Sequence, residues 1–396
     1  MRKYLALAAG ILTQACIGGI YAWSCFVPAL REQAGLSMKA TQLLFGGCIL
    51  VFALVMLKAG RLVRRVGPRA LAFVGGGLYG AGYLVAAASG GWFPLLFAGI
   101  AILSGAGIGL AYICPIVTAM RWFPKRKGLV TGLSVAGFGG GAILLSNVAD
   151  PFLQAGTPVF AVFAGVGAAY VAIACLAALF LTLPTDEDVG PQAHVAGRFF
   201  ATRAFWLLLL GMFCGTFSGL MVIGNLEPIG KGFGVASQTG VLAISLFAVG
   251  NAAGRIAWGW LFDRLRAASI PLSLGLIAVG PLALMAAAVE PALFVPAAAL
   301  NGLAFGACFV VFVGAVSHIF GTQRVGGIYP FVFLGYGLSG LVGPTTAGWL
   351  YDRFGGYHAA LWLAVALPLL AIALSLVQQL HRAPEHESVS AASEST

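Results

Sequence analysis

Long apolar runs dominate the chain and restrict its fold more than any other feature. Twelve such runs, separated by short polar breaks, lie at 4–30, 40–63, 69–89, 93–121, 127–151, 157–183, 203–227, 237–262, 270–289, 291–319, 325–350 and 357–380. A helix of about 20 apolar residues spans the hydrocarbon layer of a bilayer. Because 60% of the 396 residues are hydrophobic and only 9% are charged, a soluble fold could not cover its apolar surface. The sequence therefore predicts an all-α membrane protein with twelve transmembrane helices.

One long polar insert, residues 184–202, separates the sixth run from the seventh. It predicts an N-terminal six-helix half (1–183), a linker (184–202), a C-terminal six-helix half (203–382) and a polar tail (383–396). The halves also resemble each other at an offset of about 200 residues, although glycine-rich segments can align by chance. Three glycine pairs carry the match: Gly105 with Gly302, Gly109 with Gly306, and Gly137 with Gly335. A parallel repeat of this kind places a substrate site between the halves, near the middle of the membrane.

Lysine and arginine are distributed unevenly between the two sets of loops. Sixteen of the 22 lie at the N-terminus, in alternate loops or at Arg382, and only Arg31, Lys39, Lys231 and Arg353 lie on the other side. This asymmetry predicts a cell inner-membrane protein with both termini and the linker in the cytoplasm. The net charge of +10 then needs no nucleic-acid partner. All seven cysteines fall in apolar runs without paired spacing, which predicts neither a disulfide framework nor a metal site.

One arginine lies deep inside an apolar run. Arg255 precedes Asp263 by eight residues, so on a helix it lies roughly 12 Å deeper in the membrane. Holding a permanent charge at such depth costs at least ~2.5 kcal/mol, which makes the residue a functional hypothesis. A guanidinium can hold a carboxylate through two parallel hydrogen bonds. The alternative is an arginine that reaches back to the surface, but its depth and the lack of an acid one turn away argue against this.

A resemblance to a known family follows from these motifs. The segment Gly259-Trp-Leu-Phe-Asp263-Arg264, after the eighth helix, and the six-plus-six repeat resemble the major facilitator superfamily. The second-helix copy of the motif departs from the pattern, with Arg64 where the acid usually stands. Residues 121–137 are similar to the fifth-helix signature of monocarboxylate transporters and oxalate/formate antiporters. In both families an eighth-helix arginine takes the substrate carboxylate, and the resemblance gives that role to Arg255.

The same resemblance leaves the mode of transport open. Animal monocarboxylate transporters typically carry an aspartate, assigned to proton coupling, where this chain has Asn251. The first-helix lysine of those proteins also has no counterpart near Tyr21. All acids and histidines fall at helix ends, in loops or in the tail, so no group that titrates near neutral pH stands at mid-membrane. We expect proton-coupled symport, with obligate anion exchange as the alternative, and Asp150 or Glu227 at the outer ends could take part.

A residue of the eleventh helix indicates how many negative charges the substrate carries. Oxalate-type exchangers carry a second buried cation there, whereas this chain has Tyr336 at or near that place. One buried positive charge matches a monocarboxylate, such as lactate or pyruvate, better than oxalate. The residues predicted to bind substrate are Arg255, Tyr112, Asn225, Asn251, Tyr21, Tyr336, Tyr329 and Asn301, and for each neutral one the alternative is a bridge between helices.

Other classes of function lack their motifs. The sequence has no His-Glu-x-x-His, nucleophile elbow or phosphate-binding Gly-x-x-x-x-Gly-Lys-Ser/Thr loop, so neither an enzyme nor a nucleotide-driven pump is expected. A channel would not need a two-half repeat around an anion site. Asp263 and Arg264 lie at the mouth of the eighth helix, where a clasp between helices would stabilise one gating state. We expect a monomer in the bilayer, with no cofactor and no metal.

Overall fold

A computed structural model of the chain describes residues 2–123, 127–184, 197–321 and 324–393. All twelve predicted helices are found, no β-strand occurs within these ranges, and the all-α prediction is confirmed. The helices are α1 (Arg2–Ala34), α2 (Met38–Val66), α3 (Pro68–Ala87), α4 (Phe93–Trp122), α5 (Lys127–Gln154), α6 (Val159–Leu179), α7 (Arg203–Gly232), α8 (Ser237–Leu265), α9 (Ser269–Ala286), α10 (Phe294–Phe320), α11 (Val325–Val332 followed by Leu334–Phe354) and α12 (His358–Ser393).

Ten helical stretches among the described residues are long and apolar enough to cross a membrane. The stretch Ser237–Ala286 contains both α8 and α9, so the ten stretches account for every helix except α11. Helix α11 is broken at Phe333, and its longer piece contains Pro344 and a polar end at Asp352 and Arg353. Its low hydropathy comes from these polar residues and its glycines, while Leu338, Val342 and Trp349 are exposed on the outside of the bundle.

Two helices depart from regular geometry near the predicted site. Helix α1 continues as a 3₁₀ helix over Gly19–Phe26, the segment that carries Tyr21. Helix α4 has a π-helical stretch at Phe97–Ser104 and is interrupted at Tyr112. Pro115 explains the interruption, because its missing N–H leaves the carbonyl of the residue four positions earlier without its helical partner. Irregular turns of this kind frequently mark functional segments of helices.

The glycine pairs aligned in the sequence make equivalent helix contacts. Gly105 of α4 packs on the main chain of α2, and Gly302 of α10 packs in the same way on α8. Gly137 of α5 faces the carbonyl of Ile11 in α1, whereas Gly335 of α11 faces that of Leu209 in α7. A Cβ at either of the last two would lie 2.6–2.7 Å from the carbonyl oxygen. These contacts support a repeat of two halves, whose boundaries remain a prediction; residues 185–196 of the linker lie outside the described ranges.

The two sets of six helices meet along α2 with α11, α5 with α8, and α7 with the 3₁₀ segment of α1. Because twelve helices bring both chain ends to one side of the membrane, we call the opposite side the distal side. There the carboxylate of Asp352, at the end of α11, accepts hydrogen bonds from the main-chain N–H groups of Met38 (3.1 Å) and Lys39 (2.9 Å). This acid satisfies free N–H groups at the start of α2, so it joins the two sets of helices at the distal end.

Candidate functional site

Arg255 lies on α8 with 5% of its surface exposed. Its Nε donates a hydrogen bond to Oδ1 of Asn251 at 3.1 Å, and its Nη1 donates one to the main-chain carbonyl of Val135 in α5 at 3.3 Å. The ring of Phe309 in α10 lies against the guanidinium, 4.4 Å from Cζ to the ring centroid. The one ion pair found in the described ranges joins Lys231 to Glu227. Arg255 is thus a buried cation whose described partners are neutral.

Close packing of α10 against α8 makes this arrangement possible. A Cβ at Gly306 of α10 would lie 2.5 Å from the carbonyl oxygen of Asn251 and 3.0 Å from the main-chain nitrogen of Arg255. Only a glycine lets the two backbones approach so closely. Gly306 therefore brings the Phe309 ring, less than one turn further along α10, onto the guanidinium.

Four of the predicted tyrosines gather around this cation. The hydroxyl groups of Tyr21 in α1 and Tyr336 in α11 share a hydrogen bond of 2.9 Å, with both side chains buried. Electrostatic interaction with Arg255 reaches the hydroxyls of Tyr21, Tyr112, Tyr329 and Tyr336. The structure thus brings five predicted residues, with Asn251 as a sixth, into one region between the two sets of helices.

Aromatic rings line the same region and hold Tyr112 in place. The Tyr112 ring contacts Phe52 of α2 at 5.2 Å and Phe138 of α5 at 5.4 Å between centroids. At the interruption of α4, the main-chain carbonyl of Tyr112 accepts a hydrogen bond of 3.0 Å from Nε2 of Gln14 in α1. The site therefore combines one cation and several hydroxyls with apolar walls, which suits a small ligand with one anionic end.

Two predicted residues, Asn225 and Asn301, are not brought to Arg255. Asn225 uses both ends of its amide within the C-terminal set of helices: Nδ2 donates to the carbonyl of Met221, and Oδ1 accepts from the hydroxyl of Tyr357. Asn301 donates to the carbonyl of Ala297 on its own helix and packs against Gly280 of α9. In this structure both residues join parts of the helix bundle, which is the bridging alternative.

The predicted clasp at Asp263 and Arg264 is not formed among the described residues. Both side chains are exposed, and Arg264 lies against the ring of Trp260 on its own helix at 3.8 Å. The clasp that the structure contains is the distal one at Asp352. The sequence holds a signal for it, because Gly348-Trp-Leu-Tyr-Asp352-Arg353 repeats the pattern of the Gly259–Arg264 segment. A gating role for Asp263 and Arg264 remains a prediction.

The acids at the distal end lie far from Arg255. Glu227 of α7 is 3% exposed; its Oε1 pairs with Lys231 at 3.2 Å and accepts from Ser237 at 3.1 Å. Ser237 precedes Arg255 by eighteen residues on α8, which corresponds to roughly 27 Å along the helix. Glu227 is therefore too far from Arg255 for a direct contact in this structure.

Three contributors to the site were not identified from the sequence: Phe309, Gln14 and the carbonyl of Val135. Phe309 is one of several phenylalanines in a continuous apolar run, so its position over Arg255 depends on how α10 packs on α8. Gln14 is a polar side chain within an apolar run, and this contrast is a signal that the sequence does contain. A main-chain carbonyl leaves no signal in the sequence.

Comparison with known protein families gives a match over almost the whole chain. The family model described as Major Facilitator Superfamily matches residues 10–264 and, in a second match, residues 208–395. The "Oxalate:formate antiporter" of Oxalobacter formigenes is 28% identical over 389 residues, which cover 94% of this chain and 90% of that protein. "Monocarboxylate transporter 11" of Homo sapiens is 28% identical over 328 residues, which cover 78% of this chain and 68% of that protein.

A solved structure of the same architecture supports the fold alone. The crystal structure of a D-xylose-proton symporter superimposes with a TM-score of 0.69 at 17% sequence identity. The match covers 93% of this chain and 96% of that one. The arrangement of the twelve helices is therefore one that a known transporter adopts.

Proposed function

The chain belongs to the Major Facilitator Superfamily and is a membrane transporter rather than an enzyme, and we propose that it transports small monocarboxylates with Arg255 as the carboxylate site. The observation that carries this proposal is the neutral surrounding of Arg255 described above. A carboxylate would supply the missing negative charge and accept two hydrogen bonds from the guanidinium. Nδ2 of Asn251 is buried and donates no hydrogen bond within the described part of the chain, so it is a further donor for the substrate.

The charge of the site and its aromatic walls favour a small monocarboxylate such as lactate or pyruvate. By the family resemblance, Tyr336 lies at or near the place where oxalate-type exchangers carry a second cation, so a second carboxylate would have no positive partner there. The hydroxyls of Tyr21 and Tyr336 can each bond a hydroxyl or keto oxygen next to the carboxylate. The phenylalanine rings at positions 52, 138 and 309 leave apolar walls for a short carbon chain. Tyr112 and Tyr329 complete the proposed site. Asn225 and Asn301 are not part of it, because their amides bond to other parts of the helix bundle.

We propose alternating access, in which the two sets of helices rock around Arg255. Closure of the distal end by Asp352 represents one of the two end states. The protein would lie in the cell inner membrane as a monomer with cytoplasmic termini, as the asymmetry of lysine and arginine predicts.

Proton symport is the preferred mode, with the proton moving together with the substrate anion. Anion exchange is the second candidate. It is favoured by the lack of an acid partner for Arg255 among the described residues and by the similarity to the oxalate:formate antiporter of Oxalobacter formigenes.

Uptake of radiolabelled lactate into liposomes that contain the purified protein tests the proposal. With proton symport, an inward pH gradient alone accelerates uptake into liposomes that hold no organic anion. No acceleration by the gradient, together with strong stimulation by internal lactate or formate, would establish exchange instead. Failure to transport lactate, pyruvate, formate or acetate under either condition would contradict monocarboxylate transport.

A further inference from the structure

Besides the hydroxyl of Tyr112, three groups from three different helices contact the guanidinium of Arg255 among the described residues. Asn251 accepts a hydrogen bond on α8, the Val135 carbonyl accepts one on α5, and the ring of Phe309 covers one face from α10. The Oδ1 of Asn251 and the Val135 carbonyl carry partial negative charges and accept hydrogen bonds from the guanidinium at 3.1 and 3.3 Å. Both acceptors belong to the protein, so they are available to the guanidinium in the absence of substrate.

This matters for a transporter, because each net transport cycle includes a return step without substrate. During that step the carrier passes through an occluded state in which no carboxylate neutralises Arg255. An unpaired buried charge is costly in free energy, so a carrier whose arginine depends on substrate alone is confined to exchange. Hydrogen bonds and an aromatic face lower that cost.

We propose that Asn251, Phe309 and the Val135 carbonyl form a substitute counter-partner for Arg255 that lets the substrate-free carrier reorient. The protein then catalyses net transport of monocarboxylates and is not an obligate exchanger. Asn251 thereby partly compensates the charge of Arg255, as a carboxylate would, but it does not titrate. The return step of the carrier therefore requires no proton at this residue. This inference rests on the proposed role of Arg255 in binding the carboxylate.

Two efflux rates measured on the same liposomes test it. Liposomes containing the protein are loaded with radiolabelled lactate, and the membrane potential is clamped at zero with potassium and valinomycin at equal pH on both sides. Efflux into lactate-free buffer requires return of the empty carrier, whereas efflux into saturating unlabelled lactate does not. We expect the two rates of the wild-type protein to lie within about tenfold of each other. A hydrogen bond to a charged group changes an equilibrium by about tenfold or more, so a larger difference would mean that the return step lacks even one such bond.

Variants of the counter-partner should lower the first rate relative to the second. For Asn251→Ala we expect the ratio of net efflux to exchange to fall about ten- to a hundredfold, the range carried by one hydrogen bond to a charged group. For Phe309→Leu the expected fall is roughly two- to thirtyfold, the range of a cation–π contact. Asn147→Ala is the matched control, because Asn147 bonds Ser245 between the same two helices, α5 and α8, without contacting Arg255; its ratio should stay unchanged.

Each outcome separates this inference from the proposed function. A wild-type net efflux below about a hundredth of the exchange rate would overturn the inference while leaving carboxylate transport intact. The same holds if Asn147→Ala lowers the ratio as far as Asn251→Ala does, because a weakened α5–α8 contact would then be the cause. If neither efflux mode operates with lactate, or if Arg255→Gln transports normally, the proposed function fails first.

Discussion

The hydroxyl oxygens of Tyr21 and Tyr336 lie 2.9 Å apart and join the first helix to the eleventh. The two residues belong to opposite sets of six helices, and both side chains are fully buried. This hydrogen bond closes the site beside Arg255 and gives each hydroxyl a partner that a substrate could replace.

The two hydroxyls of this pair should depend on each other for the stability that they contribute. Tyr21→Phe or Tyr336→Phe alone leaves a buried hydroxyl unpaired, which costs about 1–3 kcal/mol. The double variant removes both hydroxyls, so its loss of stability should be smaller than the sum of the two single losses. Thermal unfolding of the four purified proteins in detergent measures this coupling. Strictly additive losses would mean that the hydroxyls do not depend on each other.

Asp352 should control access from the distal side. Asp352→Asn removes the charge that caps the start of α2 and one of its two acceptor oxygens, which weakens a contact worth about 1 kcal/mol or more. We expect a membrane-impermeant maleimide added to the distal side to label the buried Cys25 of α1 several-fold faster in this variant. The labelled residue is identified by mass spectrometry.

Glu290→Gln is the control for that experiment, since Glu290 also accepts a main-chain hydrogen bond on the distal side, from the N–H of Ala292, but within one set of helices. It should leave the labelling rate of Cys25 unchanged. Equal rates in the wild-type protein and Asp352→Asn would show that the hydrogen bonds to Met38 and Lys39 do not hold the distal end closed.

Gly306 should be intolerant of a side chain. Gly306→Ala places a Cβ against the main chain of Asn251 and Arg255, so we expect a loss of about 1–3 kcal/mol in stability from overpacking. Displacement of α10 also moves the Phe309 ring away from Arg255, and lactate transport should fall. Gly259→Ala serves as the control, because a Cβ there meets nothing within 4 Å and gains up to about 1 kcal/mol of helix propensity. Equal stability of the two variants would contradict the close packing of α10 on α8.

The fold followed from the sequence because each helix in a bilayer is encoded locally. A long apolar run and its polar ends determine a membrane helix with little help from distant residues. The glycine pairs used to align the halves, such as Gly105 with Gly302, lie at equivalent helix contacts, since close packing requires small residues at fixed positions. Helix α11 was also predicted, from the apolar run 325–350, although its glycines and polar end lower its hydropathy.

The candidate site was only partly predictable, and the reasons differ from residue to residue. Arg255 was recognisable because a charge in an apolar run has a high cost in free energy. Tyrosines such as Tyr21 carry a hydroxyl group within an apolar run, which marks them as candidates. They lie close together because the helices that carry them meet between the two halves. Asn225 and Asn301 carried the same kind of signal, but an amide serves equally well between helices. The orientation of a side chain around its helix decides between these uses, and that orientation depends on packing.

The account's central claim is that the guanidinium of Arg255 binds the substrate carboxylate, and equilibrium binding of radiolabelled lactate to purified protein tests it most directly. Removing one partner of a buried, hydrogen-bonded charge pair costs about 2–5 kcal/mol, so Arg255→Gln should weaken binding by roughly thirtyfold or more. Arg255→Lys, which keeps the charge but not the planar fork, should bind with intermediate affinity. Thermal unfolding establishes that both variants are folded. Saturable lactate binding by folded Arg255→Gln with the wild-type affinity would contradict the claim.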